Sequence, residues 1–304
     1  MANNKVYQSQ TTLETPFGPL QLRMAGKSTA KPVLLMHGAM NDECQLSWYH
    51  LVPFLAPYYR VIGLDFPCHG GSRPWKGKAT ESELLECIES VRYFLHVDKL
   101  TLIGFSMGGA VAIAYALKHM LRVRSFVAVS PGGVSKNIPS QFYSWVLSRI
   151  SGAGKYLAKT YQHISREKVS RSFSTSLLSG ENSEAYEDLL ELTHQEMVAK
   201  SQHGESVLDD WQVQTLSPFR LRINHTKNLR SLTMPTLWLS GAKDQLVPPE
   251  DVQKAAALTP RSKFELIPNA GHFLPLDQPE KVNQSILAFL QSLEKPVRTA
   301  QALS

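Results

Sequence analysis

The stretch Leu100–Gly109, LTLIGFSMGG, decides the fold of this chain. Its first half is a run of apolar and β-branched residues typical of a buried strand, and the alanine-rich sequence that follows is typical of a helix. Gly104, Ser106 and Gly108 lie between the two. Because glycines let a strand and a helix come close together, the stretch predicts a sharp strand–turn–helix unit that projects one serine hydroxyl.

The position of Ser106 matters more than the G-x-S-x-G pattern itself, which occurs by chance in roughly one chain in ten of this size. A helix predicted from Met107 to His119 would point its N-terminus at the serine. The free N–H groups and the positive dipole end of a helix favour a developing oxyanion. We therefore interpret Ser106 as a nucleophile.

A nucleophilic serine needs a base, and the base needs a carboxylate that orients it. Asp244 follows the apolar strand predicted at 236–241, and His272 follows the strand predicted at 264–267. Catalytic groups of open α/β sheets gather beyond the carboxyl ends of the strands, where all three side chains are expected. Ser106, Asp244 and His272 are thus the predicted triad.

The chain order Ser106, Asp244, His272 resembles that of the α/β-hydrolase superfamily, in its branch of serine hydrolases with a helical cap. The resemblance covers most of the chain apart from its middle and its tails. The stretch 33–40, VLLMHGAM, is similar to the family's strand and oxyanion turn. The resemblance implies that the backbone N–H groups of Ala39 and Met107 form an oxyanion hole.

The loop 65–72, DFPCHGGS, also resembles a loop of that family, with Cys68 at a position that usually holds glycine. We expect this loop to shape the rim of the site, with Asp65 and His69 fixing its conformation. His37 is expected to make structural hydrogen bonds in the oxyanion turn. Asp277 is an alternative acid, but its place at the start of the last predicted helix favours a role as a cap.

Alternating strand and helix patterns predict an α/β fold, with a mostly parallel eight-stranded sheet flanked by helices. The predicted strands are Val6–Leu13, Leu20–Met24, Val33–Met36, Arg60–Leu64, Lys99–Phe105, Val123–Val129, Pro235–Ser240 and Lys263–Ile267. The predicted helices are Gln45–Leu55, Thr80–Leu95, Met107–His119, Glu250–Leu258 and Glu280–Leu293. Residues 134–230 break the alternation, so we expect a hydrolase core of 1–133 and 231–304 with a helical cap of 134–230 inserted into it.

The predicted cap holds many apolar and aromatic residues, a minority of which are expected to line an apolar pocket facing Ser106. Basic and acidic residues are separated along this predicted cap. Between residues 135 and 180 several lysines and arginines are accompanied by only one acid, Glu167, and an acidic stretch from Glu181 to Asp210 follows. We expect the two halves to pair with each other, and no recognised nucleic-acid module is present.

The remaining features point to a reduced compartment and a small partner. The net charge of +6 is mild, and no apolar run approaches the length that spans a bilayer. The first ten residues lack the regions of a signal peptide, and three cysteines form neither a disulfide framework nor a metal signature. We expect a cytoplasmic protein without a metal or cofactor that takes a small apolar ester-like substrate and inserts into no membrane. A homodimer is an open alternative to a monomer.

The predicted function is hydrolysis of an ester or similarly activated acyl compound through an acyl-enzyme. The serine at position 106 excludes the related families that use an aspartate nucleophile. Hydrolases that cleave carbon–carbon bonds of ring-cleavage products rank second, because they commonly carry Trp where this chain has Phe273. Lactonases, thioesterases, monoacylglycerol-type lipases and slow-turnover small-molecule receptors of the same fold remain open alternatives.

Overall fold

The computed structural model describes residues 6–294, apart from the side chains of residues 174–176. Its centre is the predicted mostly parallel sheet, in the order β1-β2-β4-β3-β5-β6-β7-β8. The strands are β1 Ser9–Thr15, β2 Gly18–Ala25, β3 Pro32–Met36, β4 Arg60–Leu64, β5 Leu100–Phe105, β6 Val123–Val129, β7 Thr236–Gly241 and β8 Ser262–Ile267. Strand β2 pairs antiparallel with both β1 and β4, and the other neighbours pair in parallel. Residues 1–5 and 295–304 of the predicted core lie outside the described residues.

Helices cover both faces of the sheet and fill the long connection between β6 and β7. The helices before that connection are α1 Cys44–Ser47, α2 Leu51–Leu55, α3 Glu81–Phe94 and α4 Met107–Lys118. Within it lie α5 Gln141–Arg149, α6 Ala153–Lys159, α7 Arg166–Ser176, α8 Tyr186–Gln202 and α9 Asp210–Thr215. After it come α10 Pro249–Leu258, α11 Leu274–Asp277 and α12 Pro279–Ser292. Short 3₁₀ helices lie at Met120–Arg122, Thr160–His163, Gly180–Asn182 and Thr226–Ser231.

The sheet separates two apolar cores. One lies between the sheet and α3, α4 and α10, and the other between the sheet and α1, α2 and α12. All six residues of β5 are buried, as expected for a central parallel strand that is covered on both faces. The turn that carries Ser106 therefore starts from a fully buried strand, which gives it a rigid base.

Two predicted elements were placed wrongly. Strand β1 ends at Thr15 rather than Leu13, because the Thr15 hydroxyl accepts the N–H groups of Phe17 and Gly18 and closes a tight hairpin to β2. Val6 and Tyr7 are buried in the core ahead of the strand, so their apolar character was misread as part of it.

The predicted helix Gln45–Leu55 is two helices, α1 and α2, separated at residues 48–50. Pro53 has no N–H to donate to a preceding turn, so it is compatible only with the first turn of a new helix. Most residues from 45 to 55 are apolar, and the proline is the one sign of the break that the sequence carries.

In the connection between β6 and β7, the described residues form helices and turns and no strand. A third apolar cluster joins α7 and α8 to Leu46 and Leu276 of the sheet-bearing part. None of the helices in residues 6–294 is long and apolar enough to cross a membrane. The helical connection thus packs on the same end of the sheet at which the predicted site residues lie.

The turn from β5 into α4 depends on Gly108, because a Cβ at this residue would lie 2.4 Å from the carbonyl oxygen of Met36 and 2.6 Å from that of His37. These are backbone atoms of the neighbouring strand and cannot swing away. We expect Gly108→Ala to lower the free energy of unfolding by about 3 kcal/mol, at the upper end of the cost of overpacking. Urea denaturation followed by circular dichroism measures it.

Gly204→Ala is the matched control, because a Cβ at Gly204 meets no atom within 4 Å. Its cost comes only from its left-handed backbone, with φ at +64°, and is about 1 kcal/mol. Equal losses in the two variants would show that the close approach of Gly108 to the backbone after β3 is not what makes the turn from β5 into α4 sensitive to substitution.

Candidate active site

Ser106 lies between the end of β5 and the start of α4, on a strained backbone with φ of 50° and ψ of −111°. Positive φ is uncommon for residues other than glycine and persists only where the surroundings enforce it. Here the Ser106 N–H donates to the carbonyl of Val129 at 3.0 Å, and the Ser106 carbonyl accepts the N–H groups of Ala110 and Gly132. The serine is thus fixed by its own backbone, with its side chain left partly exposed.

The structure brings Ser106, His272 and Asp244 together in one hydrogen-bonded chain. His272 Nε2 lies 3.0 Å from Ser106 Oγ, and His272 Nδ1 lies 2.9 Å from Asp244 Oδ2. Since a carboxylate only accepts, Nδ1 carries the proton, and Nε2 is left to accept the proton of the serine hydroxyl. This arrangement allows the serine to be deprotonated as it attacks.

Hydrogen bonds to both carboxylate oxygens hold Asp244 in place. Oδ2 also accepts the Ser130 hydroxyl at 2.7 Å, and Oδ1 accepts the N–H groups of Leu246 and Val247, each at 2.9 Å. Burial alone would raise the pKa of Asp244, but the hydrogen bond and charge of His272, together with Val247 and Ser130, lower it. The carboxylate is therefore ionised and oriented toward the histidine.

The turn after β3 is held by a structural histidine, as expected for His37. Its Nε2 accepts the N–H of Phe66 at 2.9 Å, which leaves Nδ1 to donate to the carbonyl of Gly38 at 2.7 Å. Burial, and then the nearby His69, lower the pKa of His37 well below its ordinary value, so the ring is neutral. The N–H of Gly38 donates to Asp42 at 2.6 Å.

The N–H groups of Ala39 and Met107 donate to no protein acceptor in the described part of the chain. Met107 is the first residue of α4, whose opening N–H groups have no partner within the helix. Both amides belong to the two segments that meet beside Ser106, since the N–H of Gly108 donates to the carbonyl of His37 at 3.0 Å. They are available to bind an oxygen that carries negative charge.

Asp209, just ahead of α9, joins the long helical connection to the turn after β3, and the sequence did not predict this role. Its Oδ2 accepts the N–H of Met40 at 2.6 Å and lies 3.3 Å from His69 Nε2, while its Oδ1 accepts from Lys200 Nζ at 2.8 Å. Met40 directly follows Ala39, so the carboxylate fixes the peptide next to one of the free amides.

Asp209 belongs to a buried cluster of charges. Burial opposes ionisation of Lys200, yet the charges of Asp209 and Glu196 raise its pKa; Lys200 and His69 likewise lower the pKa of Asp209 in spite of burial. Arg73 adds ion pairs to Glu196 and to the nearby Glu205. The charges compensate one another across the boundary between the sheet-bearing part and α8.

This cluster shows that the expected role of His69 was too narrow and that a capping signal at Asp209 was missed. His69 does more than fix its own loop, because it also contacts Asp209, 140 residues further along the chain. Asp209 and Gln212 form a reciprocal capping box at the start of α9, a pattern that sequence reasoning could have recognised. Nothing in the sequence identified Lys200 as buried.

Asp277 does not cap the last helix, contrary to the prediction. The residue before α12 is Gln278, and the Asp277 carboxylate instead accepts the N–H of Gly271 at 2.8 Å and that of Ser179 at 3.0 Å. It thereby anchors the peptide ahead of His272 and ties it to the helical connection. Its position one short helix earlier than predicted explains the error.

The loop that carries Asp65 behaves as expected, since its carboxylate accepts the N–H of Gly71 at 3.1 Å. Cys68 adopts a left-handed φ of 65°, a conformation that favours the glycine usual at that position. Cys44, Cys68 and Cys87 are free thiols. Within residues 6–294 no group of three histidine, cysteine or carboxylate side chains is arranged to hold a metal ion.

Comparison with known proteins gives one family and two kinds of relative. The model of the family described as alpha/beta hydrolase fold matches residues 31–279. A carboxylesterase of Bacillus subtilis is 23% identical over 91% of this chain and 86% of its own length. A 2-hydroxy-6-oxononadienedioate/2-hydroxy-6-oxononatrienedioate hydrolase of Pseudomonas putida is 24% identical over 86% of this chain and 88% of its own.

A further relative is longer than this chain. The dihydrolipoyllysine-residue acetyltransferase component of the acetoin cleaving system of Pseudomonas putida is 28% identical over 88% of the chain, which spans 65% of that protein. Among solved structures, a thermophilic esterase of Thermogutta terrifontis superimposes with a TM-score of 0.73 at 25% identity, covering 94% of this chain and 100% of the esterase. A meta-cleavage product hydrolase gives 0.73 at 19% identity, covering 93% and 98%.

The contribution of the Asp209–Lys200 ion pair to stability can be tested by substitution. Asp209→Asn removes the charge that compensates the fully buried Lys200 and should lower the free energy of unfolding by about 3 kcal/mol. Adding Lys200→Met should recover part of the loss, because the unpaired ammonium is gone. Arg171→Gln, which breaks the exposed pair with Glu167, is the control and should change nothing measurable.

The pH dependence of that loss has a defined sign. Because the pKa of Asp209 is lowered by folding, the pair stabilises the protein above the ordinary aspartate pKa of about 3.9 and loses its effect as the pH falls below it. The gap in unfolding free energy between wild type and D209N should shrink between about pH 5 and about pH 3. A constant gap would mean that Asp209 is not the stabilising anion.

Proposed function

The chain belongs to the alpha/beta hydrolase fold family and is a hydrolase, and we propose from this that it cleaves carboxylic esters or similarly activated acyl compounds by serine catalysis. The observation that carries the proposal is the hydrogen-bonded chain from Ser106 through His272 to Asp244. Its position beside two free backbone amides is what acyl transfer requires.

In the first half of the reaction Ser106 Oγ attacks the substrate carbonyl while His272 Nε2 takes the hydroxyl proton. The carbonyl carbon becomes tetrahedral and its oxygen takes the negative charge. His272 then gives its proton to the leaving alkoxide, the carbon–oxygen bond to that group breaks, and an alcohol departs. The product of this half is an ester of Ser106 with the acyl group.

Asp244 holds the imidazole in the tautomer that leaves Nε2 open and stabilises the imidazolium that forms. Support for this role comes from its four hydrogen bonds, which fix it before any substrate binds. The N–H groups of Ala39 and Met107 bind the oxyanion, and the dipole of the twelve-residue helix α4 adds to their effect.

In the second half a water molecule gives a proton to His272 Nε2 and attacks the acyl-enzyme carbonyl. The tetrahedral intermediate forms again, and the proton returns to Ser106 Oγ as the acid is released. No further group is needed to balance the reaction, since water supplies the oxygen and both protons.

We further propose that residues 134–230 act as a cap over this site and that the substrate is small and apolar. Support comes from Trp211 of α9, whose buried indole packs against the backbone of Gly132, while the N–H of Gly132 donates to the carbonyl of Ser106 at 2.9 Å. The phenyl ring of Phe105 lies 5.1 Å from the ring of His272. Apolar rings beside the serine favour an apolar acyl group.

The triad is tested by substitution. Ser106→Ala and His272→Ala should each lower kcat on a short p-nitrophenyl ester by about 10⁴-fold, and Asp244→Asn somewhat less. Wild type should also gain the mass of one fluorophosphonate adduct, which Ser106→Ala should lose. Asp98→Asn, an exposed substitution of the same chemistry as D244N, is the control and should retain wild-type rates.

Unchanged turnover in Ser106→Ala would refute the serine mechanism. Folded wild type that forms no adduct would favour a binding protein of the same fold over an enzyme. An adduct together with turnover near one event per protein molecule would identify the slow receptor that the sequence also allows.

Carbon–carbon bond hydrolysis is the second candidate, favoured by the similarity to the 2-hydroxy-6-oxo acid hydrolases. Against it stands Phe273, which packs on Phe105 with ring centroids 4.9 Å apart, where that branch commonly has Trp. We expect kcat/KM for p-nitrophenyl butyrate to exceed that for a 2-hydroxy-6-oxodienoate by more than tenfold. The reverse order, followed by the loss of the dienoate absorbance, would make this candidate the better one.

A further inference from the structure

Helices α5 and α6 expose an unusually apolar face. Tyr143 is 76% exposed, Tyr156 72% and Ile150 57%. Exposed apolar patches of this kind mark surfaces that bind a partner or a membrane. We define the α5–α6 surface by its six exposed apolar side chains: Phe142, Tyr143, Val146, Ile150, Tyr156 and Leu157.

The two helices are attached to the rest of the molecule along one side only. Gln141 is the only buried residue of α5, and Ala158 is the only one of α6. Gln141 Nε2 donates to the carbonyl of Ser217 at 2.7 Å, and the carbonyl of Gly154 accepts the N–H of Val207 at 3.2 Å. Polar contacts thus hold the helices while their apolar residues remain uncovered.

The α5–α6 segment that carries this surface contains basic residues and no acidic ones. Arg149, Lys155 and Lys159 are exposed, and no Asp or Glu occurs from residue 135 to 166. The acidic stretch pairs with the basic half as expected, but at Arg166, through Glu187 and Glu191. Among the described side chains, no carboxylate lies within ion-pair distance of the other three cations.

We propose that the α5–α6 surface binds peripherally to an anionic lipid surface. Tyrosines and aliphatic side chains suit the boundary between headgroups and acyl chains, and lysines and arginines beside them reach the phosphates. Charge complementarity selects anionic lipid, because three exposed cations that form no ion pair among the described side chains attract a negative surface. This binding goes beyond the hydrolase activity and does not depend on it.

The test is co-sedimentation with vesicles, with Ser106→Ala as the parent protein so that hydrolysis cannot alter the lipids. It should sediment with vesicles of phosphatidylcholine that contain about 30 mol% phosphatidylserine, and much less with pure phosphatidylcholine. Raising the salt concentration should release it, because ions screen the attraction between the cations and the lipid.

Two sets of substitutions separate the contributions. R149Q/K155Q/K159Q should weaken binding to the anionic vesicles by about fivefold per cation, or about 100-fold in total. K76Q/K78Q/K99Q removes the same net charge from exposed positions elsewhere and should retain near-parental binding. Y143S/I150S/Y156S should also release the protein, and since all three side chains are exposed, circular dichroism should show an unchanged fold.

Three results would overturn the proposal. The first is a parent that does not sediment with anionic vesicles. The second is equal binding by the R149Q/K155Q/K159Q variant and its K76Q/K78Q/K99Q control. The third is a Y143S/I150S/Y156S variant that keeps its vesicle binding. If the same three substitutions, made in the active protein, raise KM for soluble esters, the surface lies in the substrate path. If they convert a dimer to a monomer in analytical ultracentrifugation, the surface is a contact between copies.

Discussion

The hydrogen bond from the N–H of Gly108 to the carbonyl of His37, at 3.0 Å, is the contact on which the rest of the site depends. It forms because β3 and β5 are neighbouring parallel strands and because residue 108 has no side chain to keep them apart. One free amide follows β3 and the other begins α4, so this contact sets their separation. It also brings Ser106, the residue before α4, next to the turn after β3, before any side chain of the triad is considered.

Local patterns predicted much of this arrangement. The strands that precede Ser106, Asp244 and His272 could be read from short apolar runs, and their parallel order brings their carboxyl ends to one edge. The ends of an element are harder to predict from sequence when they depend on a single hydrogen bond. Strand β1 ends at Thr15, where the side-chain hydroxyl accepts two backbone N–H groups, and no periodic pattern in the sequence indicates such bonds.

Contacts between distant parts of the chain lay beyond sequence reasoning. Asp209 and Met40 are 169 residues apart, and Asp277 and Ser179 are 98. The sequence shows an aspartate in each case, but not which amide it accepts. A buried lysine such as Lys200 looks like any surface lysine until its neighbours are known, because its long side chain is usually solvated.

The helical connection is thus attached to the sheet in two different ways. Glu196 of α8 is buried against the loop after β4, and Asp209 contacts both that loop and the turn after β3, whereas α5 and α6 are mostly exposed. Because one carboxylate oxygen of Asp209 accepts the Met40 amide directly, any outward motion of α8 and α9 breaks that bond in the same step. The position of these helices and the conformation of the turn after β3 are therefore mechanically linked. If the proposed substrate enters by such a motion, the open molecule has a loosened turn until the helices close again.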